Sequence, residues 1–305
     1  MFKKVTDKTS KRSKGVFLAL LSSSIFGLIP FFSIPLMQDG MSMPNLLFFR
    51  FLFSAIIMGA ISAFKKIDIR ISFKELGVLI ILSILFASTS LFLLASYSLI
   101  PSGVATTIHY LFPILVTAIM MFLYKEKKSV LILGLSFLAF IGVGLLCWTN
   151  GNTLSVLGIT FALVTVVTYA LYIVGTNKFG MDRLNSYVIA FYVLFFGVII
   201  FAIYALFTTG IQPLNASKEW IYLILLAFLP TVIADFALIL SIKYAGATIS
   251  AILGVMEPVV AFVVGILYLS EPFSYQSLIG LFLVLLAVTL VVRISTKGKK
   301  SKGTL

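Results

Sequence analysis

Long apolar runs separated by short polar gaps dominate this chain, and their lengths decide the fold class before any single residue does. A membrane-spanning helix needs about 20 predominantly apolar residues at about 1.5 Å rise each. Ten stretches meet that length, at 16–37, 44–64, 75–96, 102–124, 129–148, 155–175, 186–207, 219–242, 247–269 and 274–293. The gaps between them are turns rather than domains, punctuated by Gln38-Asp39-Gly40, Thr149-Asn150-Gly151-Asn152 and Pro213 with Asn215. The pattern therefore predicts an all-α polytopic membrane protein of ten transmembrane helices.

Two further regularities sharpen that expectation. Sliding the chain by 145 positions lays Pro113 on Pro258 and Glu126 on Glu271, and a slide of 143 lays Gly15 to Leu28 over Gly158 to Leu171. The chain then reads as two five-helix repeats, 15–148 and 155–293, joined by an external linker at 149–154 and flanked by basic tails at 1–14 and 294–305. An odd number of helices per half makes the second half enter the membrane the opposite way up, so the repeats are inverted.

Charge placement predicts the orientation. With the N-terminus in the cytoplasm, the inner gaps and tails hold 21 of the 23 Lys and Arg residues, leaving only Lys218 outside and Arg50 within a span. Cytoplasmic loops retain positive charge, so both termini are expected inside a cytoplasmic (inner) membrane. The basic stretch from Lys3 to Lys14 resembles the start of a secretory signal, but its apolar run is too long for a signal core and reads as an uncleaved first helix.

Composition excludes several classes of function. Hydrophobic residues make up 61% of the 305 positions and charged ones 11%, with 29 Phe, against about a quarter charged in soluble domains. The net charge of +13 does not imply nucleic-acid binding, because the basic residues sit in inter-helix gaps and not on one hydrophilic surface. One cysteine, Cys147, and one histidine, His109, rule out an intramolecular disulfide and a multi-histidine metal site. No nucleotide-binding loop, His-Glu-x-x-His or Gly-x-Ser-x-Gly motif is present, and no cofactor is implied.

Candidate chemistry lies where the hydrocarbon makes it costly. An ionisable side chain at the centre of a span costs roughly 2.5 to 3.5 kcal/mol on insertion scales. Glu257 lies near the middle of its span, with Arg50, Asp235 and His109 at intermediate depth in theirs. Each serves either as a structural ion pair or hydrogen bond between helices, or as a substrate or proton site. Pro258 frees the carbonyl of Gly254, and Pro113 frees that of His109. Equivalent positions in the two halves thus carry an interrupted helix, which is either a packing kink or the wall of a polar cavity. Small residues recur every fourth position as Ala19, Ser23, Gly27 and as Gly246, Ser250, Gly254, two stripes on which another helix can approach closely. Among the aromatic residues Tyr97, Tyr110, Tyr169, Tyr172 and Tyr192, Tyr110 is the binding candidate because it adjoins His109. The basic tails are expected to lie on anionic membrane lipid.

The segments GVMEPVVAFVVGILYLSE (Gly254 to Glu271) and HYLFPILVTAIMMFLYKE (His109 to Glu126), with Arg50 on the second helix, give the chain a resemblance to the EamA-like branch of the drug/metabolite transporter superfamily. That resemblance covers about residues 15–293. It implies a cavity between the repeats, lined by the Glu257-Pro258 and His109-Pro113 helices and opened alternately to each side. It also implies that Glu126 and Glu271, at helix ends, cap the helix that follows. The expected function is a secondary transporter exporting or exchanging a small organic solute, with Glu257 and Arg50 contacting charged substrate groups or each other. A proton-coupled importer is the alternative. A membrane enzyme acting on lipid-linked substrates is disfavoured by external loops whose only acids are Asp39 and Glu219. Expected partners are a small-molecule substrate and membrane lipids, with no nucleic acid, and either a monomer or a homodimer suffices.

Overall fold

The structure, a computed structural model, describes residues 2–124, 138, 141, 142, 145, 154–179, 184–271 and 274–300. Most of the fifth predicted span lies outside the described residues, with Glu126, Cys147 and nearly all of the 149–154 linker. The helices are α1 (Phe2–Phe26), α2 (Ile29–Gln38), α3 (Met43–Phe64), α4 (Phe73–Tyr97), α5 (Ser102–His109), α6 (Phe112–Phe122), α7 (Val156–Lys178), α8 (Ser186–Thr208) and α9 (Ser217–Ala227). They continue with α10 (Ala234–Ala245), α11 (Ala247–Ile252), α12 (Met256–Tyr268) and α13 (Tyr275–Lys300). No strand occurs among the described residues.

Eight helical stretches among the described residues are long and apolar enough to cross a membrane. They are Ser13–Gln38, Met43–Phe64, Phe73–Tyr97, Ser102–Phe122, Val156–Lys178, Ser186–Thr208, Ser217–Ala245 and Ala247–Tyr268, and α13 covers the tenth predicted span. The protein is a multi-pass membrane protein. Four of the eight stretches are discontinuous, each at a proline. Pro30 and Pro113 open α2 and α6 just after a break, Pro230 lies in a π-helical turn at Phe228–Ile233, and Pro258 follows a 3-10 turn at Leu253–Val255. In each case the ring removes a backbone donor, and the chain bends or rewinds around the unpaired carbonyl.

Hydroxyls of α1 reach the backbone beside two of these breaks. Ser23 Oγ donates to the carbonyl of Leu253 in the 3-10 turn at 3.0 Å, and Ser22 Oγ to that of Ala234 just after the π-helical turn at 2.7 Å. The small-residue stripe on α1 therefore works as a contact surface. A side chain at Gly27 would come within 2.6 Å of Val260 Cβ and 2.7 Å of the Glu257 carbonyl oxygen, so only glycine lets α1 pass α12 this closely.

Loop contacts sort the helix ends onto two faces. On one, Lys218 bridges Asp39, Asn45 Nδ2 donates to the Gly210 carbonyl at 2.8 Å, Gly158 abuts Leu99 and Ile100, and Glu271 reaches Ser102. On the other, Gly15 meets Ala245, Tyr192 Oη donates to the Ile69 carbonyl, and Lys243 Nζ donates to the Leu184 carbonyl. Gly15 near the start of the first span and Gly158 near the start of α7 consequently lie on opposite faces. The most extensive packing pairs α3 with α8, α1 with α10 and α4 with α7, followed by α4 with α8 and α5 with α12.

One expectation is corrected. Glu271 does not cap the helix that follows it. Its carboxylate accepts from the backbone amides of Ser102 at 2.7 Å and Gly103 at 3.3 Å, the exposed donors at the N-terminus of α5. Negative charge is favoured at that helix end, and Gly265 leaves the space the carboxylate occupies. Sequence adjacency pointed to the wrong helix because packing brings the end of α12 against the start of α5.

Candidate functional site

Arg50, buried on α3, is held by the π-helical turn at Phe228–Ile233. Pro230 cannot donate to the carbonyl of Leu226, and the adjacent Thr231 hydroxyl does so instead at 2.8 Å. With its only proton committed there, Thr231 Oγ1 accepts from Arg50 Nε at 2.8 Å. Ser54, one turn along α3, donates to the carbonyl of Arg50 at 2.6 Å, with the Ala227 carbonyl 3.2 Å from the same oxygen. A proline, a threonine and a serine thus fix a guanidinium at membrane depth while leaving its terminal nitrogens outside this network.

His109 and Glu257 come from two further interrupted helices. His109 is the last residue of α5, and Glu257 lies in the first turn of α12. The His109 Nε2 atom lies 3.9 Å from Glu257 Oε1, with both side chains almost wholly buried. The imidazole packs against Phe112 and Tyr169, with centroids 5.2 and 5.0 Å away. Its Nδ1 contacts Thr165 Oγ1 at 2.7 Å, and that hydroxyl also donates to the carbonyl of Ala162 at 2.5 Å. Tyr110, next to the break, is fully buried and packs on Gly254, so the two hinges touch.

Arg50, His109, Glu257, Tyr169, Thr89 and Ser90 face one cavity, closed on its other sides by apolar residues of α1, α2 and α4. Its empty volume is about 380 Å³, of which about 30 Å³ admits the centre of a water molecule. It therefore has room for little more than a water or two. A second cavity opens between the Asp39 and Gln212 loops, with an empty volume of about 630 Å³ and about 290 Å³ open to water centres. Asn45 is one of its walls, five residues from Arg50 along α3.

Of the residues predicted from sequence, Arg50, His109 and Glu257 share this cavity, whereas Tyr110 and Asp235 do not reach it. Asp235 is fully buried behind it, accepting from Tyr172 Oη at 2.8 Å through Oδ1, while Oδ2 has no hydrogen-bond partner. Arg50 and Glu257 were expected to pair when the site is empty, but the guanidinium Nε goes to Thr231 and the carboxylate meets His109. Pro113, Pro258 and Gly254 form the two hinges. Sequence reasoning passed over Thr231 and Thr165; Thr231 was visible as a hydroxyl directly after a helix-interior proline. Among the described residues no three His, Cys, Asp or Glu side chains converge as a metal would require.

A helical membrane bundle that gathers charged groups at broken helices around a small cavity belongs to the transporters of small substrates. A model of the EamA-like transporter family matches residues 13–148 and again 156–293, and the chain belongs to that family. It is 25% identical over 308 residues to the "Uncharacterized transporter YxxF" of Bacillus subtilis (strain 168), covering 97% of this chain and 96% of the relative. A solved crystal structure at 17% identity superposes with a TM-score of 0.70 over 95% of this chain and 99% of its own, a likeness of fold.

Proposed function

We propose that this protein is a secondary transporter that moves a small organic metabolite or drug across the cytoplasmic membrane by alternating access, in export or exchange. It is built as ten helices in two inverted five-helix halves with both termini in the cytoplasm. The twofold match of one family model supports the repeat, as does the reciprocal packing in which the first span meets the eighth and the third meets the sixth. The concentration of Lys and Arg in the gaps around Lys65 to Lys74, Lys178 and Lys243 supports the orientation.

The observation that carries the proposal is the convergence of Arg50, His109 and Glu257, from both halves, on one narrow cavity at two hinges. Charge at this depth is costly unless it is used. Arg50 and Glu257 contact charged substrate groups, Tyr169 and Ser90 offer hydroxyls beside them, and the wider cavity between the Asp39 and Gln212 loops is the external vestibule. The His109–Glu257 pair favours proton coupling as the energy source, so a proton-driven importer is the second reading. The absence of any enzyme motif agrees with transport as the sole activity.

The test is counterflow in proteoliposomes with solutes first identified by thermal-shift screening of metabolite pools. Glu257→Gln and Arg50→Ala are expected to lower the rate at least ~10-fold each, equivalent to about 1.4 kcal/mol of barrier. Parental rates in both variants refute the site. Accumulation driven by an imposed pH gradient separates the importer from the exporter.

A further inference from the structure

We propose that His109 and Glu257 form one proton-exchange pair spanning the two halves, and that Thr165 is the positioning residue that leaves His109 Nε2 as its accepting atom. This deepens the transport reading above and rests on it for its use, though not for its geometry.

The inference comes from counting protons. A threonine hydroxyl has one proton to donate. Thr165 Oγ1 lies 2.5 Å from the Ala162 carbonyl oxygen, an acceptor with no proton of its own, so the proton goes there. At the 2.7 Å contact with His109, Thr165 must then accept, and Nδ1 must carry the hydrogen. A neutral imidazole has only one N–H, so Nε2 presents its lone pair. That lone pair belongs to the ring atom 3.9 Å from Glu257 Oε1, at the wall of the cavity.

Two arrangements of the pair then differ by a single proton. In one, Glu257 is a neutral acid and His109 a neutral base. In the other, the acid O–H bond has broken, an Nε2–H bond has formed from the nitrogen lone pair, and a carboxylate faces an imidazolium. Neither arrangement changes the net charge of this buried site, which makes the exchange feasible at this depth. The 3.9 Å gap is longer than a hydrogen bond, so transfer takes place across one bridging water or after an approach of about 1 Å. Because α5 and α12 each end in a hinge beside the pair, motion of one half against the other changes that gap directly.

Several other groups face the pair. Arg50 of α3 lies across the cavity, and Tyr169 of α7 lies beside the imidazole. Tyr97 of α4 and Tyr110 at the α5–α6 hinge are within electrostatic reach of Glu257, and Asp235 of α10 is within reach of Arg50 and Tyr169. The α2 and α11 segments bring no titratable side chain. Arg50 is the permanent cation of this set and lines the same cavity as the pair.

His109 is the only histidine in the chain, so ¹⁵N-histidine labelling of the full-length protein reports on this one ring without assignment. The parent is expected to show the Nδ1–H tautomer. Thr165→Val is expected to move at least half of the population to Nε2–H, while Thr165→Ser keeps the parental spectrum. On titration, the Nε2 signal of the parent is expected to move in two steps, the behaviour of coupled sites, and in one step in Glu257→Gln. A dominant Nε2–H tautomer in the parent, an unchanged spectrum in Thr165→Val, or the same number of steps in the parent and Glu257→Gln overturns the proposal. None of these outcomes depends on counterflow, so a failure of the transport reading is told apart from a failure of the pair.

Discussion

The interrupted helices 102–122 and 247–268 have the same backbone plan and opposite chemistry. The first begins at the face that holds Glu271 and the second ends there, but each runs a short first half to a hinge near mid-span and resumes with a proline within its first three residues. Yet the first carries its polar group, His109, immediately before the hinge, and the second carries Glu257 immediately after it. Phe112 occupies the place in the first half that Glu257 holds in the second. A proline-imposed break depends on a missing donor and recurs wherever the ring does. The side chain beside it is free to differ, and the difference brings an acid and a base together where two identical groups would repel or leave the cavity uncharged.

The largest expected effect comes from erasing that asymmetry. Glu257→Phe, which copies the first half into the second, is expected to abolish counterflow, whereas Phe112→Ala leaves the acid–base pair intact and retains measurable flux. Gly27→Leu comes next, because it forces a side chain against Val260 and the Glu257 carbonyl. Overpacking of this kind costs about 1–3 kcal/mol, read as a lowered melting temperature of the purified protein together with lost transport.

Thr231→Val tests how the guanidinium is held. It removes the hydroxyl that serves both Arg50 and the Leu226 carbonyl, and unsatisfied buried groups cost about 1–3 kcal/mol. Transport is expected to fall several-fold, and Thr231→Ser is expected to restore it. Glu271→Gln weakens the carboxylate cap on α5, an interaction of about 0.3–1 kcal/mol for charge at a helix end. It is expected to lower the melting temperature slightly and flux less than Thr231→Val does. Lys218→Ala, on the half-exposed bridge to Asp39, is expected to change neither stability nor flux measurably, since surface ion pairs contribute little.

Much of this site was legible in advance, for a definable reason. Glu257, Arg50 and His109 stood out because charge is rare in apolar runs, and Pro113 with Pro258 stood out because they repeat. Their partners were not legible. Thr231 and Thr165 are ordinary residues in a membrane helix until another helix presents a donor to them. Tyr110 was chosen for its adjacency to His109, yet a helix break turns neighbours in sequence to different sides, and Tyr169 of α7 borders the cavity instead. Asp235 was recognised as buried, but only its packing shows that Tyr172 and not the cavity receives it.

By itself the sequence determined that the chain is helical and membrane-embedded, where two of its four helix breaks fall, and which ionisable groups lie at depth. These follow from local quantities: run length, missing donors, and the cost of charge in hydrocarbon. Tertiary structure decided which groups meet, because hydrogen-bond partners 56 to 181 positions apart in the chain are chosen by helix packing and not by spacing. It placed His109 against Glu257 in place of the expected Arg50–Glu257 pair, and it seated Glu271 on a helix of the other half. Each of those outcomes depends on how closely two helices approach, which glycines such as Gly27 and Gly265 permit only once their neighbours are in place.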